Sequence, residues 1–333
     1  MTAARGEAYP DGRVPLPPLA AAPAARLDPD AYRRCMGAQA PRLFVVGAPR
    51  AGTTTLYNLL SRHPDVHMAP KKEPGFFHLY GQGRPWSGPG DRAGVGRLER
   101  YARLFRGGEG ARLVGEASTV YLYSPRAAER IARCVPDPRI IAILRHPVDR
   151  AFSNFMQHVM QGRERVGDFA EALGRARGRL AAGWSPFWDY AGMGLYGRQL
   201  RRYYDVLPAS AMLVLDYDEL VGDTDRTLRR ICAFLGMRHV PLAAPAGGLN
   251  ASGVPRHRAA NAVLQQVRRG AQYLPRALRF RTEAWLERLV RQNLRRQPLA
   301  ADLRARLAES FWRDSEEAGR LTGIDVRGWL PDR

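Results

Sequence analysis

Lysine is almost missing from this chain: of 52 basic residues only Lys71 and Lys72 are lysines, and the rest are arginines. Against 32 acidic residues they leave a formal net charge of +20. Such an excess suits a polyanion, yet the arginines are dispersed and no basic block interleaves with aromatics. Nucleic acid is therefore not expected as a partner. The arginine bias, with abundant Ala, Gly and Pro, is the composition of a GC-rich genome. Cysteine is scarce as well. Cys35, Cys134 and Cys232 are odd in number, scattered, and in no zinc-ligand or redox spacing, which excludes a disulfide scaffold and indicates a reducing cytoplasm. Long apolar runs are also lacking. The longest aliphatic run is Ile140 to Leu144, against the roughly 20 residues of a membrane span. Met1 to Ala40 has no apolar core after a basic start, so no signal peptide is read.

What remains is globular. With 45% hydrophobic and 25% charged residues over 333 positions, the chain fits one large α/β domain with extensions. Residues 1–40, rich in Pro and Ala, read as a flexible arm without a sustained period. Residues 41–333 read as a single domain, helical from about 258 onward. Leu43 to Val46, Arg139 to Leu144 and Met212 to Leu215 read as buried strands, and Arg112 to Val114 as a weaker one ending at Gly115-Glu116. Helices are expected after Gly52, from Val148, over Leu228 to Leu235 with Gly236 as cap, and from about Ala300 to Leu321. Gly81 to Gly96 reads as a surface loop. Strands alternating with helices predict a P-loop-like, doubly wound, mostly parallel sheet flanked by helices, with a helical C-terminal extension.

The chemistry concentrates at strand ends. A glycine-flanked turn between a buried strand and a helix offers backbone N–H groups to an anion. Gly47-x-x-x-x-Gly52 has the spacing of a nucleotide-triphosphate loop, but Thr53 stands where that loop carries lysine, and the only nearby cation is Arg50. A metal-dependent triphosphate site also wants a carboxylate at a neighbouring strand end. The Arg139 to Leu144 strand delivers Arg145 instead. Asp216 could revive a metal site, although it also suits the start of the Asp216 to Leu220 turn. The pattern predicts a 5′-phosphate in the turn and a second phosphate at Arg145, with Ser153, eight residues on, donating to it. A nucleotide with phosphates at both ends of its ribose fits. His63 and His67 straddle Pro64, which spoils a metal-ligand pair.

These residues carry a family resemblance. Gly47-Ala-Pro-Arg-Ala-Gly-Thr-Thr-Thr55 resembles the 5′-phosphosulfate loop of sulfotransferases that use 3′-phosphoadenosine-5′-phosphosulfate. Leu144-Arg-His-Pro-Val-Asp-Arg-Ala-Phe-Ser-Asn154 is similar to their 3′-phosphate motif. Lys72-Glu-Pro-Gly-Phe-Phe77 resembles the Glu-x-x-Phe-Phe segment of the heparan sulfate N- and 3-O-sulfotransferase branch, and Asn250-Ala-Ser-Gly-Val-Pro-Arg256 resembles the loop that closes over the nucleotide. Arg50 occupies the usual loop lysine position, as in bacterial relatives. Ala117 replaces a lysine of the heparan enzymes, and Asn154 stands where some have Asp.

The resemblance implies sulfuryl transfer to a hydroxyl or amine of a carbohydrate or glycoconjugate, leaving 3′-phosphoadenosine-5′-phosphate, with no metal. It implies Glu73, which follows Lys71 and Lys72 and precedes Phe76 and Phe77, as general base. Arg50 and Lys72 would assist at the transferred group. Arg50, Ala51, Gly52, Thr53, Thr54 and Thr55 would hold the 5′-phosphate, Arg145 and Ser153 the 3′-phosphate, and Ser252, Gly253 and Arg256 would close over it. Glu116, Gln157, His158, Trp184 and Trp188 are acceptor-side candidates, the two tryptophans standing beside Phe187 and Tyr190 as an aromatic wall. His146 is given no catalytic role. Three alternatives stay open: a lipid, polyketide or other secondary-metabolite acceptor; a Mg²⁺-dependent P-loop kinase using Asp216; and a non-enzymatic polyanion-binding protein.

Overall fold

The apolar run at Leu43 becomes the central strand of the sheet. The computed structural model describes residues 26–82, 86–89, 94–242, 254–271, 285–286, 289–290, 292–295 and 297–329. Its strands are β1 (Leu43–Gly47), β2 (Val66–Met68), β3 (Leu113–Ala117), β4 (Arg139–Leu144) and β5 (Met212–Asp216). They lie in the order β2-β3-β1-β4-β5, and every neighbouring pair is parallel. A parallel strand covered on both faces reads as a continuous apolar run, which is why β1 and β4 were legible. β2 is three residues long with only its ends buried, too short to show a period. β3 extends beyond the expected Arg112 to Val114 and takes Gly115 and Glu116 into the ladder. A Cβ on Gly115 would lie 2.9 Å from the Leu43 Cβ, so glycine lets β1 and β3 approach.

The helices that matter below are α1 (Pro29–Met36), α2 (Thr53–Leu60), α3 (Phe76–Leu79), α4 (Pro147–Met160), α5 (Thr224–Leu235), α6 (Arg258–Ala271) and α7 (Ala301–Thr322). α5 ends in Gly236 in the left-handed conformation, as its sequence implied. Asp216 closes β5 and caps the next helix, accepting from the Asp218 N–H at 2.6 Å. His146 caps α4 in the same way, its Nδ1 accepting from the Val148 N–H at 3.2 Å. Val254–Pro255 pairs antiparallel with Leu294–Arg295. Among the described residues no helix is long and apolar enough to cross a membrane.

Because β1 is central, the chain reaches β2 and β3 on one side and β4 and β5 on the other. The carboxyl ends of β1, β3 and β4 therefore open onto one crevice, where open α/β sheets place their ligands. A second apolar cluster, with Phe155, Phe169, Trp188, Tyr190 and Phe311, packs α4 against the 166–195 segment and α7.

The expected arm is corrected at its C-terminal end. From Pro29 the chain is helical, with Asp28 as N-cap and proline in the first turn. Tyr32 is fully buried, its ring 5.6 Å from that of Phe77. Eight residues are too few for a sustained apolar period, so only the Asp28-Pro29 start signal was available. Residues 1–25 lie outside the described residues. Replacing Tyr32 by alanine should cost about 3 kcal/mol or more of stability. Tyr32→Phe should be neutral or stabilising, since the buried hydroxyl has no partner. Denaturant midpoints of the two variants check both.

Candidate active site

Between β1 and α2 the turn 47–52 sits at the mouth of the crevice. Gly52 has φ +84° and precedes α2 with no side-chain cap, leaving the first-turn N–H groups unclaimed by any side chain. A Cβ there would lie 2.9 Å from the Leu220 Cδ2. Gly52, Thr53 and Thr54 line a cleft of about 710 Å³ together with Arg50, Lys72 and Glu73. Ala51 does not reach that wall: it is buried, and its N–H donates to the Ala48 carbonyl at 3.3 Å. Thr55 is half-buried and also off the wall.

Two phosphate-site candidates far apart in sequence meet here. Arg145 Nη1 donates to the Arg50 carbonyl at 3.2 Å, and Arg50 Nε donates to Ser153 Oγ at 3.1 Å. The Arg145 guanidinium lies 4.6 Å over the Tyr217 ring, and the Tyr196 hydroxyl donates to the Arg145 carbonyl at 2.9 Å. Arg145 and Ser153 stand behind the turn, joined to Arg50, rather than on the cleft wall. Behind them Arg150 is fully buried, donating to the Tyr190 carbonyl and keeping Nε and Nη1 unpartnered. Burial, then the charge of Arg145, pulls the Arg50 guanidinium down to about 10, so it stays cationic at neutral pH. Asp149, four residues after Arg145, is held by Arg304 through both oxygens, at 2.5 and 3.1 Å. None of Arg50, Arg145 and Arg150 forms an ion pair among the described residues. A cluster of cations without a counter-charge, beside an uncapped helix start, fits phosphate groups.

Glu73 enters from the opposite wall. Its backbone is left-handed (φ +60°) and its N–H donates to the Ala117 carbonyl at 2.8 Å. Lys72 Nζ donates to Oε1 at 2.9 Å, Thr119 Oγ1 to Oε1 at 2.9 Å, and the Thr119 N–H to Oε2 at 2.8 Å. The side chain keeps 36% of its surface exposed. Phe76 and Phe77 point away, fully buried among Tyr32, Phe44, Tyr101 and Tyr121. Among the described residues, Arg50, Glu73 and Asp137 are the three non-glycine residues with left-handed backbones. Two of the three are at this site, where the conformation costs about 1–3 kcal/mol each.

The acceptor-side candidates divide. Asn154, Gln157 and His158 line the cleft. Glu116 does not: it lies inside β3, fully buried, accepting from the Tyr101 and Tyr121 hydroxyls at 2.7 Å and from Ser118 Oγ at 2.6 Å. Ser118 Oγ in turn accepts from the Gly75 N–H at 2.9 Å, and the Tyr121 hydroxyl from the Phe77 N–H at 3.2 Å. Glu116 thus supports the turn that carries Glu73 and cannot touch an acceptor. Trp188 is likewise buried, and both Trp188 and Trp184 pack on Arg179, 4.8 and 5.2 Å from its guanidinium. Phe187 alone of that aromatic group reaches the cleft, its carbonyl accepting from Asn154 Nδ2 at 2.9 Å. Four aromatics within residues 184–190 gave no sign of which faced inward. Arg256 is exposed, its N–H donating to the Asn293 carbonyl, and it is not on the cleft wall. Ser252 and Gly253 lie outside the described residues. Sequence reading missed Thr119 and Tyr217, although both sit in stretches it singled out, one after Glu116 and the other after Asp216.

Burial raises the Glu116 carboxyl to about 7, against the pull of its three hydroxyl donors and with a further push from Glu73. The unfolded chain releases this proton near 4.5, so between about pH 4.5 and 7 the folded state binds more protons. Stability then falls as pH rises through that window. Glu116→Gln should flatten this slope, removing on the order of 1–3 kcal/mol of pH dependence. Urea midpoints of both proteins at pH 5 and pH 7.5 measure it.

The sulfotransferase family model matches residues 41–241, which contain the glycine turn, Glu73, Arg145 and Ser153. Mouse heparan sulfate glucosamine 3-O-sulfotransferase 3B1 is 29% identical over 203 residues, 61% of this chain and 47% of that protein. Mouse heparan sulfate glucosamine 3-O-sulfotransferase 6 is 28% identical over 201 residues, 60% and 53% of the two. The chain spans about half the length of these curated relatives. The crystal structure of a sulfotransferase from Alicyclobacillus acidocaldarius matches with a TM-score of 0.68 at 30% identity, over 87% of this chain and 98% of that one. With the parallel sheet and the glycine turn at its centre, the match over more than half its length shows that this chain belongs to the sulfotransferase family.

Proposed function

We propose that the chain moves a sulfuryl group from 3′-phosphoadenosine-5′-phosphosulfate to a hydroxyl or amine of a carbohydrate or glycoconjugate. The observation that carries this reading is the union of Arg145 and Ser153 at Arg50, with Glu73 on the cleft that Arg50 lines. A triphosphate-and-metal reading needs a carboxylate beside the turn, and Asp216 is engaged as a helix cap on a different cleft. The carbohydrate class rests on the curated relatives, which are named for heparan sulfate.

The donor, when bound, supplies a sulfuryl group already activated by the phosphate that leaves. Arg50 and the N–H groups of Gly52, Thr53 and Thr54 hold that 5′-phosphate and stabilise the charge that builds on it. Arg145 and Ser153 take the 3′-phosphate, the group that separates this donor from ATP or AMP. Glu73 accepts the proton of the incoming hydroxyl or amine. Lys72 and Thr119 fix its carboxylate in place for that role, because in-line attack depends on orientation. Lys72, at the same wall, also offers a charge to the transferred group.

Glu73→Gln should abolish transfer while leaving nucleotide affinity unchanged, read by a labelled-sulfate assay and by calorimetry with 3′-phosphoadenosine-5′-phosphate. Arg145→Ala should weaken that nucleotide by about 2 kcal/mol or more. Equal affinity of the native protein for 3′-phosphoadenosine-5′-phosphate and AMP would contradict the assignment.

A further inference from the structure

Beyond the groups that handle the nucleotide and the proton, one buried relay ends at the cleft. Arg179 grips Glu164 through both oxygens, Nη1 to Oε2 at 2.7 Å and Nη2 to Oε1 at 2.8 Å. The Val166 N–H donates to Oε1 at 3.0 Å and the Tyr190 hydroxyl to Oε2 at 2.9 Å. His158 Nδ1 lies 3.0 Å from the same Tyr190 oxygen. Counting protons settles the direction of that last contact. The tyrosine hydroxyl has one proton and the carboxylate, paired with arginine, accepts it, so the Tyr190 oxygen can only accept from His158. His158 is then protonated at Nδ1 and carries a lone pair at Nε2. Among the described residues Nε2 has no hydrogen-bond partner, and His158 lines the cleft.

The surroundings keep the ring neutral. Burial comes first, then the charges of Arg163, Arg179, Arg50 and Arg150, lowering His158 to about 3. Such a weak base stays neutral at pH 7, yet it accepts a hydrogen bond. Trp188, its ring centroid 4.4 Å away, holds the imidazole from the side.

We propose that His158 is the specificity-determining residue of the acceptor end: it offers Nε2 to a second O–H or N–H on the acceptor, besides the one that is sulfated. This rests on the sulfuryl-transfer reading and adds to it a second contact, in which the acceptor donates to His158. The relay from Glu164 through Tyr190 makes the choice one-sided, because a group that can only accept hydrogen bonds would face the lone pair and be rejected.

Histidine ¹⁵N spectra of the full-length protein, assigned with His158→Gln, should show Nδ1 protonated and Nε2 bare at pH 7, and Tyr190→Phe should release that preference. A glucosamine tetrasaccharide added with 3′-phosphoadenosine-5′-phosphate should shift the Nε2 resonance. His158→Leu should weaken the tetrasaccharide about tenfold or more, His158→Gln, which keeps an acceptor oxygen, much less, and neither should change nucleotide affinity. A proton on Nε2, or a resonance untouched by the sugar, overturns the proposal while leaving the nucleotide site standing. Failure to bind the nucleotide at all would instead remove the reading beneath it, with the tautomer measured independently.

Discussion

Like charges held together set the terms for this molecule. Arg50 and Arg145 come from strands that neighbour each other in the sheet, and Arg145 is tied to the Arg50 carbonyl. Arg150 adds a third guanidinium without a carboxylate partner. Folding does not gain from that arrangement, since burial and mutual repulsion both act against the cations. It is compensated by what holds the frame: β1 paired on both sides, the Tyr217 face under Arg145, and the Tyr196 hydroxyl on the Arg145 carbonyl. A site with unspent positive charge in low dielectric binds an anion more strongly than the same groups would in water. The geometry of the cleft follows from that constraint, with Arg50 and Glu73 lining the same space.

The left-handed backbones at Arg50 and Glu73 carry the same message. Where a turn needs only positive φ, glycine supplies it without strain, as Gly52 and Gly75 do nearby. Arginine and glutamate in that conformation cost stability, and the surrounding hydrogen bonds overcome it. At Glu73 these are the N–H to the Ala117 carbonyl and three donors onto the carboxylate. The side chains are thus placed by strain on one hand and by a ladder of bonds on the other, and neither can relax without moving the charge.

Much of this was legible in the sequence, and the limits have physical causes. β1, β4 and β5 are strands whose apolar runs stop at chemistry-bearing residues, so strand, turn and site were read together. Arg145 and Ser153 were read together because their spacing spans a strand end and the first turns of one helix, and both come to Arg50 in the fold. Glu116 misled because a carboxylate beside motif residues looks like a contact, and nothing in its neighbours' types tells whether it faces out of the sheet or into it. Trp184 and Trp188 failed for the same reason, since their direction is set by Arg179, which reaches them only in the fold. Helix α1 was lost to shortness, and Thr119 to the absence of any period that would link it to residue 73.

The two walls of the cleft rest on buried carboxylates treated in opposite ways. Glu164 is gripped by Arg179 and can hand a fixed direction through Tyr190 to His158. Glu116 has only neutral hydroxyl donors, so burial dominates and its proton is retained up to about neutral pH. A bidentate ion pair is geometrically stiff. A hydroxyl-ringed carboxyl is stiff only while its protonation state is constant, since each change reverses which groups must donate. The wall that carries His158 is therefore held by an ion pair, whereas the wall beneath Glu73 is coupled to pH through Glu116. Loss of a proton at Glu116 would place a negative charge below the turn that presents Glu73, and would reach that turn through Ser118 and Gly75 rather than through solvent.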